Sequence, residues 1–282
     1  MIAQYLPPRD PRTIGWFSAG DWVTFLLIIL SYVCLVKVVL PRYMTGRKEF
    51  NLRGIIRLYN LTLVFLNVYF CYNVAIHSYI GGGYSIFCEG LHVKSGDISI
   101  VQLHYQYMFV RIVEFLDTVF FVLRKKFNQA SLLNISHHCI AVFLPWYGMS
   151  YGIDGQICLL SMVNMTVHVI MYSYYFLASF PSLRLYLYWK RYLTLLQIAQ
   201  FVIIIAHMSI PLFYECGFPF QTALIIILMY IYFFVMFIKF YGSTYQTGIS
   251  TASRQGSRRA QSPPSEIIFR GSTNKDSCAK GD

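Results

Sequence analysis

Apolar stretches of about 20 residues recur along most of the chain, and they restrict its fold more than any other feature. This is the length that an α-helix needs to cross the hydrocarbon core of a bilayer. The stretches lie at 21–40, 57–79, 107–124, 132–150, 157–178, 192–213 and 219–240. With 56% hydrophobic and 12% charged residues, the chain is predicted to be an all-α, polytopic membrane protein with seven transmembrane helices.

Positive charge is distributed unevenly among the connections between these stretches. The connections rich in Lys and Arg are 41–57, 124–129 and 180–191. The alternating connections near 80–106, 151–156 and 214–218 contain a single basic residue, Lys94. The positive-inside rule therefore places the basic connections in the cytosol and the N-terminus on the other side of the membrane. Because this rule accounts for the net charge of +11, we expect no nucleic-acid partner.

Composition divides the chain into three parts. Residues 1–20 are predicted to form a non-cytosolic N-terminal segment, and residues 21–242 the transmembrane domain. Residues 243–282 are rich in Ser, Thr, Gly, Gln and Arg, which predicts a disordered, basic tail in the cytosol.

Three charged residues interrupt the apolar stretch at 107–124. Arg111, Glu114 and Thr118 lie three and four residues apart and share one helix face, with Asp117 beside it. Each charge at this depth costs about 2.5–3.5 kcal/mol on insertion scales. A chain tolerates such charges where they pair or line a polar cavity, so this segment predicts a buried functional site.

Other polar residues occur within the later stretches. Asn134, His137 and His138 lie at i, i+3 and i+4, which places them on one helix face, and His168 lies in the next stretch. Thr194, Gln197 and Gln200 form a further polar stripe, which also fits helix–helix hydrogen bonding. Together the three histidines indicate a histidine-lined cavity. His92 and His104 fall in or beside a connection and carry no comparable signal.

Two chemistries fit this set of side chains. One is a metal site, since His-x-x-His-His also occurs in di-iron membrane oxidases, but an amide such as Asn134 is a poor iron ligand. The other is acyl transfer, because an imidazole can form a covalent acyl intermediate and a second imidazole can move protons. Spacing alone does not separate either chemistry from a receptor or transporter.

Four motifs in fixed order resemble the ELO family of very-long-chain fatty acid elongases, the membrane 3-oxoacyl-CoA synthases, in an animal- or insect-like form. The family patterns are Lys-x-x-Glu-x-x-Asp-Thr, His-x-x-His-His, His-x-x-Met-Tyr-x-Tyr-Tyr and Thr-x-x-Gln-x-x-Gln. Their counterparts here are 111–118, 134–138, 168–175 and 194–200. The likeness extends over about residues 8–245.

The resemblance implies an enzyme of the endoplasmic reticulum membrane that condenses acyl-CoA with malonyl-CoA and releases CO2 and CoA. It implies six helices around a narrow acyl tunnel that opens to the cytosol, with the first helix packed outside. No metal and no cofactor are expected. The expected partners are membrane lipid, the reductases and dehydratase of the elongation cycle, and a second copy of the chain as a homodimer. Cys88 and Cys216 match positions where family members form a lumenal disulfide.

The resemblance also implies roles for individual residues. His137 is expected to be the nucleophile, with His168 as an acid–base group and His138 as its neighbour's orienting group. Glu114 and Asp117 are expected to order the imidazoles. The expected substrate-binding residues are Arg111, Asn134, Tyr172, Tyr175, Gln197 and Gln200. The basic residues expected at the cytosolic mouth are Arg124, Lys125, Lys126, Lys190 and Arg191.

Two residues depart from the family pattern. Asn134 replaces the first histidine of its motif, and Arg111 replaces the usual lysine. Asparagine forms hydrogen bonds but does not titrate, and arginine keeps the charge but changes the donor geometry. A working condensing enzyme is the leading interpretation. The alternative is a catalytically impaired member of the family that acts as a scaffold in an elongation complex.

Overall fold

The computed structural model describes residues 6–94 and 98–246, and within them it is all-helical without a β-strand. The disorder predicted for the tail falls mostly on residues 247–282, which lie outside the described residues. The α-helices are α1 (Trp22–Cys34), α2 (Leu40–Tyr43), α3 (Arg53–Ala75), α4 (Ser99–Val113), α5 (Leu116–Leu123), α6 (Leu132–Tyr151), α7 (Ile157–Ala178), α8 (Lys190–Ser209) and α9 (Phe220–Tyr241). The π- and 3₁₀-helical segments are Pro11–Thr13, Leu35–Val39, Ile76–Ile80, Pro181–Tyr186, Ile210–Leu212 and Gly242–Gln246.

The chain divides into two compact units, Met1–Tyr241 and Gly242–Asp282. The first unit contains all nine α-helices of the described residues. In the second unit, the described residues form the π-helical segment Gly242–Gln246. The site described below lies entirely within the first unit.

Within the described residues, five helical stretches are long and apolar enough to cross a membrane. They are Trp22–Tyr43, Arg53–Ile80, Ile157–Ala178, Lys190–Leu212 and Phe220–Tyr245. The protein is therefore a multi-pass membrane protein. The other two predicted spans correspond to α4 with α5 and to α6. Since α4 has 15 residues, it rises only about 22 Å, and the count of seven spans stays a prediction.

The bounds predicted for the third span were wrong. Its helix begins at Ser99 rather than near residue 107, and it breaks at Glu114 and Phe115 before α5. Gln102, His104 and Gln106 made the first two turns look like a polar connection. These turns form a helix because the neighbouring Ile100, Val101 and Leu103 are buried in the core.

Pairs of helices pack along each other and leave α1 at the periphery. The closest pairs are α3 with α7, α8 with α9, and α4 with α6. α1 touches α6, where Phe25 stacks on Trp146 with ring centroids 4.6 Å apart. The other face of α1 exposes Leu26, Leu27 and Leu30, as expected for a helix that faces lipid.

Two covalent or ionic links join the segments predicted to lie on the lumenal side. Cys88 and Cys216 form a disulfide bond, with Cα atoms 5.8 Å apart. Arg12 bridges Asp10 and Asp154 at 2.7 Å and 2.6 Å. Although burial lowers the pKa of Arg12, hydrogen bonds and charge attraction from the two carboxylates raise it above its usual value. The ion pair connects the N-terminal segment to the loop between α6 and α7, and the disulfide connects the α3–α4 loop to the α8–α9 loop.

A glycine permits the close approach of two of these loops. Gly155 has φ +61°, and a Cβ atom there would lie 2.1 Å from the carbonyl oxygen of Gly90. Any other residue would meet both the left-handed backbone and this clash. The loop after α6 therefore lies against the loop that carries Cys88.

Candidate active site

A cavity of about 80 Å³ lies among α4, α6, α7, α8 and α9. Its polar lining residues are His104, Tyr107, Arg111, His137, Tyr147, Ser161, Asn164, His168 and Tyr230. Its apolar lining includes Ile153, Ile157, Leu160, Phe201, Ile226 and Phe233. The lining on α7 runs from Ile157 to His168, which corresponds to about 16 Å along the helix axis. The lining residues therefore follow an elongated path along the helix bundle.

His137 lies on the face of α6 that lines this cavity. Its ring is 6.5 Å from the ring of His168, centroid to centroid, and the two planes differ by 19°. The ring centroid of Phe233 on α9 lies 5.2 Å from that of His137. No described residue forms a hydrogen bond with either ring nitrogen of His137. Its nitrogen lone pair therefore remains available to a ligand in the cavity.

His168 is held by a buried ion pair. Its Nδ1 lies 3.3 Å from Glu114 Oε1, and Arg111 Nη1 lies 3.1 Å and 3.3 Å from its two ring nitrogens. Arg111 Nη1 also donates to Glu114 Oε2 at 2.8 Å. Because an ionised carboxylate only accepts, Glu114 favours the tautomer of His168 that carries its proton on Nδ1.

Arg111 connects this pair to further residues of the cavity wall. Its Nη2 donates to Asn164 Oδ1, and its guanidinium lies 4.7 Å from the ring centroid of Tyr107. The side chains of Arg111 and Glu114 are only 7% and 1% exposed. Removing one partner of such a pair leaves an uncompensated buried charge, at a cost of about 3–5 kcal/mol. Arg111, Glu114, His168 and Asn164 therefore form one hydrogen-bonded network.

Asp117 does not line the cavity, and Tyr172 lies between it and His168. Tyr172 donates its hydroxyl proton to Asp117 Oδ2 at 2.9 Å. The ring of Tyr172 packs 5.7 Å from the ring of His168. Of the two predicted carboxylates, only Glu114 contacts an imidazole directly.

His138 and Asn134 face away from the cavity. The ring of His138 packs 6.2 Å from both Tyr32 and Phe115, and its Nδ1 has no hydrogen-bond partner among the described residues. Asn134 Oδ1 accepts from Thr118 at 2.7 Å, and Thr118 contacts the hydroxyl of Tyr32 at 2.8 Å. The sequence pattern grouped both residues with His137. His138 is separated from His137 because successive helical residues differ by about 100°, and Asn134 is held by its hydrogen bond with Thr118.

The remaining residues predicted to bind substrate also lie outside the lining of the cavity. Gln197 donates to Met171 Sδ at 3.4 Å. Gln200 is 4% exposed, and its Oε1 has no partner among the described residues. Tyr175 is exposed and packs 6.0 Å from Tyr172. Lys125, Lys190 and Arg191 are also exposed, as expected for residues at a cytosolic surface.

Sequence reasoning missed six polar residues of the lining, which are His104, Tyr107, Tyr147, Ser161, Asn164 and Tyr230. Asn164 was not proposed for the site, His104 was assigned to a connection, and Ser161 drew no attention. A usable signal existed, since His104 and Arg111 are seven residues apart and fall on one helix face. Ser161 and His168 show the same spacing.

Within residues 6–94 and 98–246, no three side chains of His, Cys, Asp or Glu converge in a way that would hold a metal ion. The expectation that the reaction uses no metal stays a prediction.

The fold and the site define a helical, multi-pass membrane protein with paired imidazoles and a buried Arg–Glu pair on an elongated cavity. A family model described as ELO, the GNS1/SUR4 family, matches residues 17–253. The chain belongs to this family.

Curated relatives cover most of the chain. Very long chain fatty acid elongase 2 of Mus musculus is 36% identical over 240 residues, which cover 85% of this chain and 82% of the relative. Very long chain fatty acid elongase 5 of Mus musculus is 36% identical over 242 residues, covering 86% and 80%. A very long chain fatty acid elongase of Aedes aegypti is 36% identical over 240 residues, covering 84% and 67%. These similarities support a role in fatty acid elongation.

Proposed function

We propose that this protein is a very-long-chain 3-oxoacyl-CoA synthase of the endoplasmic reticulum membrane. It condenses an acyl-CoA with malonyl-CoA and yields 3-oxoacyl-CoA, CO2 and CoA. The observation that supports this most is the position of His137 and His168, which line one elongated cavity with ring centroids 6.5 Å apart. Family membership supplies the substrate class, and the apolar residues of the elongated lining suit an acyl chain.

In the first step, a ring nitrogen of His137 attacks the carbonyl carbon of the acyl-CoA thioester. The C–S bond breaks, and CoA leaves with the proton that the imidazole gives up. The acyl group is then bonded to His137 as an acyl-imidazole. The lack of any hydrogen bond from the described residues to His137 leaves its nitrogens free for this attack.

In the second step, malonyl-CoA loses its carboxylate as CO2, and the electron pair of the broken C–C bond forms an enolate. The enolate carbon attacks the acyl-imidazole carbonyl, the C–N bond breaks, and His137 takes up one proton. Arg111 lines the cavity beside His137 and supplies hydrogen-bond donors and positive charge for the developing enolate oxygen, while His168 contacts Arg111 and Glu114. Glu114 holds both groups in position.

The alternative of an impaired scaffold protein rests on Asn134. In the structure this residue contacts Thr118 and is not part of the cavity lining. A group at this position has no contact with His137 or His168 through which it would transfer a proton. The position of Asn134 therefore favours a working enzyme.

Microsomes that contain the full chain should extend an acyl-CoA when they are supplied with labelled malonyl-CoA. His137→Ala should abolish this extension, whereas the exposed His77→Ala should retain it. Mass spectrometry after incubation with acyl-CoA alone should detect an acyl group on the peptide that contains His137. Equal extension by His137→Ala and the unchanged protein would rule out His137 as the nucleophile.

A further inference from the structure

Two polar contacts between α4 and α7 repeat at an interval of seven residues on both helices. Arg111 contacts His168 at 3.1 Å, and His104 contacts Ser161 at 2.9 Å. Seven residues correspond to two helical turns, or about 10 Å along the axis. All four residues line the same cavity. The His104–Ser161 pair is therefore a second polar level, about 10 Å deeper than the reaction centre.

The hydrogen bonds of this pair leave one acceptor open. The carbonyl oxygen of Ile100 only accepts, so Nδ1 of His104 carries a proton and donates it across 2.9 Å. Nε2 of the neutral ring is then an acceptor, and Ser161 Oγ donates its single proton to it. No described residue donates a hydrogen bond to Ser161 Oγ. Its lone pairs therefore remain for a donor inside the cavity.

Burial keeps the ring of His104 in this neutral state. His104 is 3% exposed, and neither of its ring nitrogens contacts a carboxylate in the described part of the chain. A buried imidazolium without such a partner would carry a large desolvation cost. The pair therefore presents a hydrogen-bond acceptor to the cavity but no hydrogen-bond donor.

The surroundings of the pair are apolar. Ile153, Ile157 and Leu160 line the cavity near Ser161 in sequence. A saturated hydrocarbon chain suits these neighbours but leaves the Ser161 oxygen without a donor. A buried acceptor that lacks a partner costs free energy, and a ligand that supplies a donor recovers it.

We propose that His104 and Ser161 make this cavity selective for acyl chains whose hydroxyl group lies at the level of the His104–Ser161 pair. The proposal rests on the proposed function, in which the acyl carbon is bonded to His137. An extended chain advances somewhat less than one C–C bond length per carbon, so about 10 Å corresponds to roughly eight bonds. The hydroxyl is therefore expected on about the ninth carbon, where it donates to Ser161 Oγ.

The test compares positional isomers of one hydroxyacyl-CoA in microsomes that contain the full chain. The isomers carry the hydroxyl on about carbon five, nine or thirteen, so they share the same cost of removing a hydroxyl from water. For the unchanged protein, kcat/KM should be roughly two- to tenfold higher for the middle isomer than for the other two, as one net hydrogen bond provides. Labelled malonyl-CoA reports the extension.

Variants of Ser161 separate the proposed contact from general packing. Ser161→Ala should lower the ratio between isomers to about one, because it removes only the accepting oxygen. Ser161→Thr should keep the preference, since it keeps the oxygen. Ser209→Ala is the matched control, because the hydroxyl of Ser209 donates to Ile205 within α8 and does not line the cavity. Each ratio is measured within one variant, so differences in expression cancel.

The outcomes distinguish this proposal from the one on which it rests. If the unchanged protein extends a plain acyl-CoA but treats the three isomers alike, the selectivity is overturned and the elongase function stands. If Ser161→Ala keeps the preference, the oxygen of Ser161 is not the acceptor and the proposal fails. If no acyl-CoA is extended at all, both proposals fail.

Discussion

Two walls of the cavity differ in chemistry although the same apolar membrane environment surrounds both. One, here called the polar wall, consists of His104, Tyr107, Arg111, Ser161, Asn164 and His168 from α4 and α7. The other, the apolar wall, consists of Phe201, Ile226 and Phe233 from α8 and α9. His137 on α6 contacts both, through His168 and Phe233. The polar wall fits the reaction, and the apolar wall fits the chain that the reaction lengthens.

This difference has an energetic consequence. The polar wall is a network of mutually dependent hydrogen bonds and charges, in which the loss of one member leaves the others unpaired. The apolar wall is a packed surface, in which the loss of a methyl group removes local contacts only. We therefore expect substitutions in the polar wall to reduce stability and turnover together. Substitutions in the apolar wall should mainly change which chains fit.

The largest effect is expected for Glu114→Gln. It leaves the charge of Arg111 buried without its partner, so the free energy of unfolding should fall by about 3–5 kcal/mol, and extension should be lost. Thermal unfolding of the detergent-solubilised protein measures the first effect, and incorporation of labelled malonyl units measures the second. Glu215→Gln, at an exposed carboxylate, should change stability by less than about 0.5 kcal/mol. A fully stable Glu114→Gln protein would contradict the network.

A smaller effect is expected for Tyr172→Phe. It removes the donor to Asp117 and leaves a half-buried carboxylate oxygen without that partner, which should lower the free energy of unfolding by about 1–3 kcal/mol. Extension should fall but remain measurable, because Tyr172 packs against His168 without lining the cavity. The control is Tyr69→Phe, at an exposed tyrosine on α3. If both variants were equally stable, Asp117 would not depend on this hydrogen bond.

The helices and the cavity differ in how far the sequence predicts them. The spans at 157–178 and 192–213 match their helices closely, because long apolar runs depend little on tertiary context. The start of α4 was missed because Gln102 and His104 are polar. Only the fold shows that His104 is buried and contacts Ser161, whereas Gln102 is exposed.

Which side chains face the cavity was harder to predict still. His137 and His138 are adjacent in sequence and identical in chemistry, yet only His137 lines the cavity. Both sides of α6 are packed against protein, so hydrophobic periodicity carries no information about which side is the cavity. The neighbours decide this, since His138 lies between Tyr32 of α1 and Phe115.

On the apolar wall, Ile226→Val tests whether packing sets chain selection. The change removes one methylene-sized group and should lower the free energy of unfolding by about 0.5–1.5 kcal/mol. Turnover of a well-fitting acyl-CoA should persist, while the distribution of product lengths should shift toward longer or bulkier chains. Ile231→Val, on the exposed face of the same helix, should leave the distribution unchanged. An equal shift in both variants would show that the apolar wall does not determine which chain lengths are made.

The smallest effect is expected for Asn134→His, which restores the residue of the family pattern outside both walls. Because Asn134 contacts Thr118 and does not line the cavity, extension should change by no more than about twofold, as for a substitution of about 0.5 kcal/mol. Extension of labelled substrate in matched microsomes measures the ratio, and the unchanged protein should be clearly active. A large gain from an undetectable starting activity would instead support the impaired scaffold. It would also mean that the side of α6 facing α1 controls the reaction as strongly as the two walls that contact His137.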